Sequence, residues 1–421
     1  MKHLPLIAAC ALAGSALALV ARAQEPPGSA APREAAASSL PRSGSLAGAV
    51  EAAWQRAVAA REASGLRRRA EAERTAASAL WAGSPSLELD HRTDRWQDNE
   101  DRRESAVALA WPLWLPGQRA ARGSAAQAGV AFAESSEALS RLRIAGDVRE
   151  AAWSLIAQQR ELLQADAAAD SLRLLAEDVD RRVKAGDLAR ADALAARAEL
   201  LGATALQAEA RQRLFAAESR WTTLTGTGPL ASAEEPAPPA GTDPAMAHPE
   251  IRAAMQATEH AQRKVELARA SRLDPPELSI GYRKDEPGRG LPSQGSVTIG
   301  LRVPFGTDDR NLPLQAAALA ELDVARTHEE RLRERLVAEA SAARSAVESA
   351  QRQLDLEKER AAMLRERASL IDKSFRAGES ALPDLLRALA AATQAQAALS
   401  RQSAALGLAR ARLNQSLGVF P

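Results

Sequence analysis

Few residues in this sequence have both the type and the spacing for catalysis or metal binding. His91, His248, His260 and His328 are scattered, with no i,i+4 pair and no cysteine partner, so they read as surface or interface histidines and not as a metal site. There is no glycine-rich phosphate loop, no H-E-x-x-H and no G-x-S-x-G, and the acidic residues mostly fall where a helix face pairs them with arginines. No catalytic residue, metal or cofactor is expected. What does recur is a turn. Lys184-Ala-Gly-Asp-Leu-Ala-Arg-Ala-Asp-Ala-Leu194 and Arg376-Ala-Gly-Glu-Ser-Ala-Leu-Pro-Asp-Leu-Leu386 share one layout, with Gly186 to Gly378 and Asp192 to Asp384 at a common offset of 192 residues. Each glycine interrupts a long helical pattern and supplies the positive φ of a tight reversal or a helix C-cap. Asp192 and Asp384 follow at the start of a new helix, where a carboxylate complements the helix dipole. Pro383 is tolerable there only in the first helical turn.

Long helices must position these turns. Aromatics make up only 3% of the 421 residues, and strong Ala, Leu, Arg and Glu usage favours coiled coils over a compact core. With 55 Lys and Arg against 54 Asp and Glu, the chain is near neutral, which gives no support for nucleic-acid binding. Met1-Lys2-His3, the apolar stretch Leu4 to Val20 and Ala21-Arg22-Ala23 read as a secretory signal over residues 1–23. The only cysteine, Cys10, lies inside it, so no disulfide or thiol site is expected. Ile7-Ala8-Ala9-Cys10 looks like a lipoprotein cleavage box, but the apolar core before it, about six residues, is shorter than the ~7–15 such a leader needs. No later apolar run reaches the roughly 18 residues of a membrane-spanning helix.

Residues 24–44 are rich in Pro, Ala, Ser and Gly and lack periodicity, which predicts a mobile extension. A first unit spans 45–226. Ser45 is its N-cap, a helix runs from Leu46 to about Ala82, and a strand hairpin follows over 85–112 in which Leu87, Leu89, Leu109 and Trp111 alternate with polar or small residues. Long helices are predicted over 118–184 and 188–225, the first about 100 Å long at 1.5 Å per residue. A Pro-rich linker, 227–247, divides the chain. The second unit, 248–421, repeats the plan with a hairpin over 277–304 and helices over 314–377 and 382–417. Pro112 and Pro304, Arg220 and Arg412, and Gly226 and Gly418 share the offset of 192, and the repeated order of elements signals duplication.

In the second long helix, Leu336, Ala340, Ala343, Val347, Ala350, Leu354, Ala361, Leu364, Ala368, Ile371 and Phe375 step by threes and fours, with Glu357 taking one seam position. Small residues flank that seam, so each helix has room for neighbours on two sides, as in a closed ring. The fold class read here is mainly α with a small β part. Two strands per unit make four per chain, too few to close a barrel, yet they alternate as transmembrane β-strands do. Three chains would supply twelve strands, with Leu87, Leu89, Leu109, Leu278, Ile280, Val297, Ile299 and Leu301 facing lipid and Glu88, Asp90, Arg283 and Arg302 lining water. Trp111, Trp114, Tyr282 and Phe305 are expected at strand ends, in interfacial belts.

The leader, the duplicated helix–hairpin–helix plan and the repeated Ala-Gly-acidic turn followed by x-x-x-x-Asp-x-Leu resemble the TolC-type outer-membrane efflux proteins, over nearly the whole mature chain. The resemblance implies a homotrimer: a twelve-stranded barrel in outer-membrane lipid, continuous with a helical tunnel through the periplasm, with an equatorial region to which the linker is assigned. It implies an exit duct with no catalytic residues. Its partners would be a periplasmic adaptor, touching the tips Ala185-Gly186-Asp187 and Ala377-Gly378-Glu379, and an inner-membrane pump. Asp192 and Asp384 fall where the family closes its entrance with rings of charge, and carboxylates around an axis favour cations. Val303-Pro-Phe-Gly-Thr-Asp-Asp-Arg-Asn311 is similar to a junction in the family's heavy-metal branch, whose pumps are of the resistance-nodulation-division type. The competing reading is a soluble periplasmic coiled-coil adaptor or rod, although adaptors carry a lipoyl-like β domain that is absent here.

Overall fold

The computed structural model describes residues 44–421 except 95, 97–99, 229, 231–232, 234, 236–247 and 289. The leader, the extension up to residue 43 and most of the linker lie outside the described residues. Among the described residues, seven helices and four strands follow one another: α1 Leu46–Arg56, α2 Val58–Ala77, β1 Ser86–Thr93, β2 Arg103–Pro112, α3 Gln118–Ala185, α4 Arg190–Thr225, α5 Pro249–Ala270, β3 Glu277–Glu286, β4 Gln294–Arg302, α6 Asp308–Arg376 and α7 Leu382–Ser416.

The single helix expected over Leu46 to Ala82 is two. Ser45 caps α1, its Oγ accepting from the Gly48 N–H at 3.2 Å, but the backbone turns extended at Ala57 (φ −68°, ψ 139°) and α2 ends at Ala77. No glycine or proline marks the break. Its reason is tertiary: α1 packs Leu46, Ala49 and Ala53 against Val148, Leu155 and Trp221, whereas α2 turns Ala70 to Val130 and Ala133 of α3.

The four strands form one antiparallel sheet in the order β1-β2-β3-β4, with β1 and β4 as open edges. Within the hairpin expected over 277–304, β3 and β4 stay paired through Lys284–Gly295 and Asp285–Gln294. Helix α6 starts at Asp308, six residues before the expected 314, and takes Pro313 into its second turn. The missing N–H there would have served the carbonyl four residues back. Pro313 is exposed, so water can satisfy that carbonyl instead.

Helices α3 and α6, of 68 and 69 residues, are each about 100 Å long. Near the sheet the packing order is α2-α3-α5-α6; toward the far end it is α4-α3-α7-α6. Small side chains allow this wall. Ala193, Ala196, Ala203 and Ala210 line the buried face of α4, and Leu336, Ala340, Ala350, Ala361, Ala368 and Phe375 are buried along the expected seam of α6.

Candidate functional site

Three surfaces of this rod carry its chemistry: the sheet, the distal turns and the waist between them. On the sheet, directly paired residues share a face. Leu87 opposes Leu109, Leu109 opposes Ile280 and Ile280 opposes Ile299, while the row Leu89–Val107–Tyr282–Val297 and the row Trp111–Leu278–Leu301 lie beside it. All eight residues expected to face lipid therefore lie on one face; Leu278 is half-buried and the other seven are exposed, Leu89 to 71% and Ile299 to 73%. Glu88, Asp90, Glu104, Arg283 and Arg302 stand on the other face among Ala106, Ala108 and Gly281, with Arg283 paired to Glu104 and Arg302 to Glu277. A contiguous apolar face of this kind marks an interaction surface or a membrane. Among the described residues no helix is long and apolar enough to cross a membrane.

Aromatic residues gather where sheet meets helix. Trp111, next to last in β2, tilts against Trp81 with centroids 6.0 Å apart. The Trp114 Nε1–H donates to the Leu80 carbonyl at 3.0 Å, and Arg122 lies 5.6 Å over its ring. Phe305, just past β4, is 91% exposed. Tyr282 departs from the strand-end expectation: it lies inside β3, because pairing runs on to Glu286. The Arg-Asn pair that opens α6 locks this junction, Arg310 to Asp274 at 3.2 Å and the Asn311 Nδ2–H to the Arg272 carbonyl at 2.7 Å.

At the far end, Gly186 and Gly378 have φ of +90° and +81° and close their helices alike. The N–H of Asp187 reaches Arg182 and that of Glu379 reaches Ser374, both at 2.9 Å, the six-to-one bond of a left-handed helix cap. Ala185, Gly186, Asp187, Ala377, Gly378 and Glu379 are all exposed. The two turns are joined by one core, in which Val179 and Ala193 meet Phe375, Leu382 and Leu385, and Arg182 stacks 5.0 Å over the Phe375 ring. Asp192 and Asp384 each lie in the first turn of a returning helix. Asp192 accepts from the Ala189 N–H at 3.1 Å and Asp384 pairs with Arg387, so both serve their own helix starts. Pro383 falls within that first turn, where a missing N–H costs nothing.

The waist was not anticipated. Arg149, midway along α3, is buried with Glu235 of the linker, their side chains 2% and 5% exposed and 3.0 Å apart. Its other nitrogens donate to Gln415 Oε1 at 2.7 Å and to the Val419 carbonyl at 2.9 Å, while Asn414 Nδ2 donates to Glu235 at 3.0 Å. One cluster thus ties the first long helix, the linker and the chain's end. The signal was available: Arg149 sits among Ala145, Val148, Ala152 and Leu155, on the stripe that the core takes. Beside it His248, 2% exposed, is the N-cap of α5, its Nδ1 accepting from the Glu250 N–H at 3.1 Å and its Nε2 lying 3.4 Å from the Gln415 carbonyl. Burial holds its pKa below the usual imidazole value. His260 stacks on Phe132 at 5.9 Å and is lowered for the same reason. Among the described residues no three His, Cys, Asp or Glu side chains gather as a metal site.

Comparison with known proteins bears on these surfaces together. Residues 245–419 match the profile of the outer membrane efflux protein family. The cobalt-zinc-cadmium resistance protein CzcC of Cupriavidus metallidurans is 27% identical over 234 residues, 53% of this chain and 55% of that one, so the match spans about half the relative's length. The outer membrane protein VceC of Vibrio cholerae has the same fold, with a TM-score of 0.71 at 18% identity over 89% of this chain and 96% of its own. CusC, whose structures concern transmembrane channel formation, gives 0.74 at 16% identity over 89% and 92%. The second half of the chain thus carries the profile of the outer membrane efflux proteins, the TolC-type family that the sequence resembles, and the described residues share the fold of VceC and CusC along nearly all their length.

Proposed function

We propose that the chain is an outer-membrane exit duct of a tripartite efflux system, working as a homotrimer. One observation carries the reading: a four-stranded sheet with a bare apolar face and two unpaired edges sits at one end of helices about 100 Å long, and paired exposed turns sit at the other. Four strands cannot close, and an exposed edge invites another strand. Three copies give an even, twelve-stranded barrel of the kind that bacterial outer membranes hold, and strands of eight to ten residues suit a tilted crossing. Leu87, Leu89, Leu109, Leu278, Ile280, Val297, Ile299 and Leu301 then face lipid, and Glu88, Asp90, Arg283 and Arg302 face the lumen.

The chain is two copies of one unit, 45–226 and 248–421, and each contributes a tip. Ala185-Gly186-Asp187 and Ala377-Gly378-Glu379 form the docking surface for a periplasmic adaptor, which leads to an inner-membrane pump of the resistance-nodulation-division type. Asp192 and Asp384, close behind, add negative charge at the entrance. The duct moves cargo by passage and not by catalysis. Metal cations are its cargo, supported by the likeness to a cobalt-zinc-cadmium resistance protein and by the Arg310-Asn311 junction. Deleting the gene and challenging cells with zinc, cobalt, cadmium, dyes and antibiotics tests this. Sensitivity confined to the metals supports it, and sensitivity to dyes and antibiotics alone removes the metal assignment while leaving the duct.

A further inference from the structure

The apolar face of the sheet ends abruptly. Its apolar rows are followed, at the end away from the helices, by the row His91–Ser105–Lys284 and then by Thr93–Arg103–Glu286, on the same side of the strands. Alternation fixes that side, because residues two apart along a strand share a face. Lys284, Arg103 and His91 lie about the Glu286 carboxylate, which Lys284 meets at 2.6 Å, and Arg103 also reaches Asp101 at 3.0 Å. The His91 ring and the Ser105 hydroxyl are 3.0 Å apart. Tyr282 marks the boundary: its hydroxyl lies over Gly295, the partner of Lys284, where a Cβ would collide with it. A tyrosine with its ring on the apolar side and its hydroxyl toward charge suits the surface of a bilayer.

The boundary is also hollow. Strand β2 carries small side chains there, Ser105 and Val107, between the larger Leu89 and His91 of β1 and Tyr282 and Lys284 of β3. Together they line a groove of about 410 Å³, within the roughly 300–1,000 Å³ of ligand sites. A second groove, lined by Leu87, Leu109, Ile280 and Val297, shares Val107 and Tyr282 with the first and continues it along the apolar face. An apolar trough that opens onto Lys284, His91 and a serine hydroxyl matches an amphiphile, with hydrocarbon below and an anion above.

We propose that this end of the sheet docks a phosphorylated glycolipid, with an acyl chain in the trough over Val107 and a phosphate at Lys284, Arg103 and His91. The inference rests on the membrane reading above and adds a specific lipid to it. With the long helices in the periplasm, these rows stand in the outward leaflet, where bacterial outer membranes keep phosphorylated glycolipids instead of glycerophospholipids. Glu286 and Asp101 already pair with two of the cations, but exposed ion pairs hold weakly, and a phosphate monoester brings about two charges against the one of a carboxylate. Lys284 also keeps donors to spare, since an ammonium has three N–H groups. Glu286 is therefore a competitor for the site, and that sets the sign of a test.

Titrating the purified trimer in detergent with lipid A, a doubly phosphorylated and acylated disaccharide, and counting bound lipid by native mass spectrometry tests it. Lys284→Gln/Arg103→Gln is expected to weaken binding on the order of tenfold. Glu286→Gln is expected to tighten it, because the competing carboxylate is gone, and Ser105→Trp, which fills the trough, to weaken it without changing charge. Arg302→Gln, which removes a positive charge from the opposite face, is expected to change nothing. Equal binding by the native chain and Lys284→Gln/Arg103→Gln, or weaker binding by Glu286→Gln, overturns the site while leaving the duct. Phosphatidylglycerol bound as tightly as lipid A overturns the choice of lipid. A chain recovered as a soluble monomer overturns the site and the membrane reading together.

Discussion

The Arg149 guanidinium and the Glu235 carboxylate meet 3.0 Å apart with almost no solvent exposure, and they join the middle of the longest helix of the first half to the segment that separates the halves. A buried pair of this kind is costly to assemble and more costly to break, since removing one partner strands the other's charge. Arg149→Met is expected to destabilise the fold by about 3–5 kcal/mol, and adding Glu235→Leu to recover a large part of that. Thermal unfolding followed by circular dichroism measures both, and equal losses in the single and double variants would show that packing matters here and not charge.

His248 gives the fold a dependence on pH. Burial, its largest influence, keeps the ring neutral, with Arg335 acting the same way and with the Gln415 carbonyl, Glu250 and Glu339 opposing. Its folded pKa therefore lies below the unfolded value of about 6.5. The unfolded chain binds the extra proton first, so this contribution is fully present above pH ~6.5 and is lost as pH falls from there toward the folded value. His260 titrates in the same direction. His248→Asn keeps an N-cap acceptor and is expected to flatten the fall in Tm between pH 7.5 and 5.5. An unchanged slope in His248→Asn and in His260→Gln would remove both residues from this account.

The tips separate assembly from function. A Cβ at Gly186 or Gly378 meets nothing within 4 Å, so a substitution there is opposed by the positive φ and not by space. The cost is about 1–2 kcal/mol per site, small against the two rods behind it. Gly186→Trp/Gly378→Trp is expected to leave the trimer intact on native gels and to abolish export, because bulk at the tip would block the proposed adaptor contact. Loss of the trimer would mean that these turns act chiefly in folding.

The two faces of the sheet respond differently to charge. Ile299→Arg places a cation in lipid and costs about 2–4 kcal/mol at the bilayer midplane, so less protein is expected in the outer membrane. Thr298→Arg, one residue along and on the opposite face of the sheet, is expected to insert normally and alter ion selectivity. Equal insertion of both variants would contradict the lipid-facing assignment.

Periodicity made much of this legible from sequence, for physical reasons. The strands alternate because one face is bare and apolar, and Gly186 and Gly378 announce themselves because only a left-handed residue ends these helices so tightly. Three features escaped. The break at Ala57 has no local signal, since it follows from α1 and α2 packing on different stretches of α3. Proline at 313 suggested a helix start, whereas an exposed second turn tolerates it. Glu235 lies in a Pro/Ala-rich segment that looks like a spacer, and its contact with Arg149 spans 86 residues, beyond the reach of any local pattern.

Closure of three chains into one outer-membrane pore is open to direct measurement. Purify it from the outer-membrane fraction in detergent, determine its mass with and without heating, and record it in a planar bilayer. A heat-labile species of three chains that conducts, with a preference for cations that weakens in Asp192→Asn/Asp384→Asn, is the predicted result. A soluble monomer, recovered without detergent and silent in the bilayer, would contradict it.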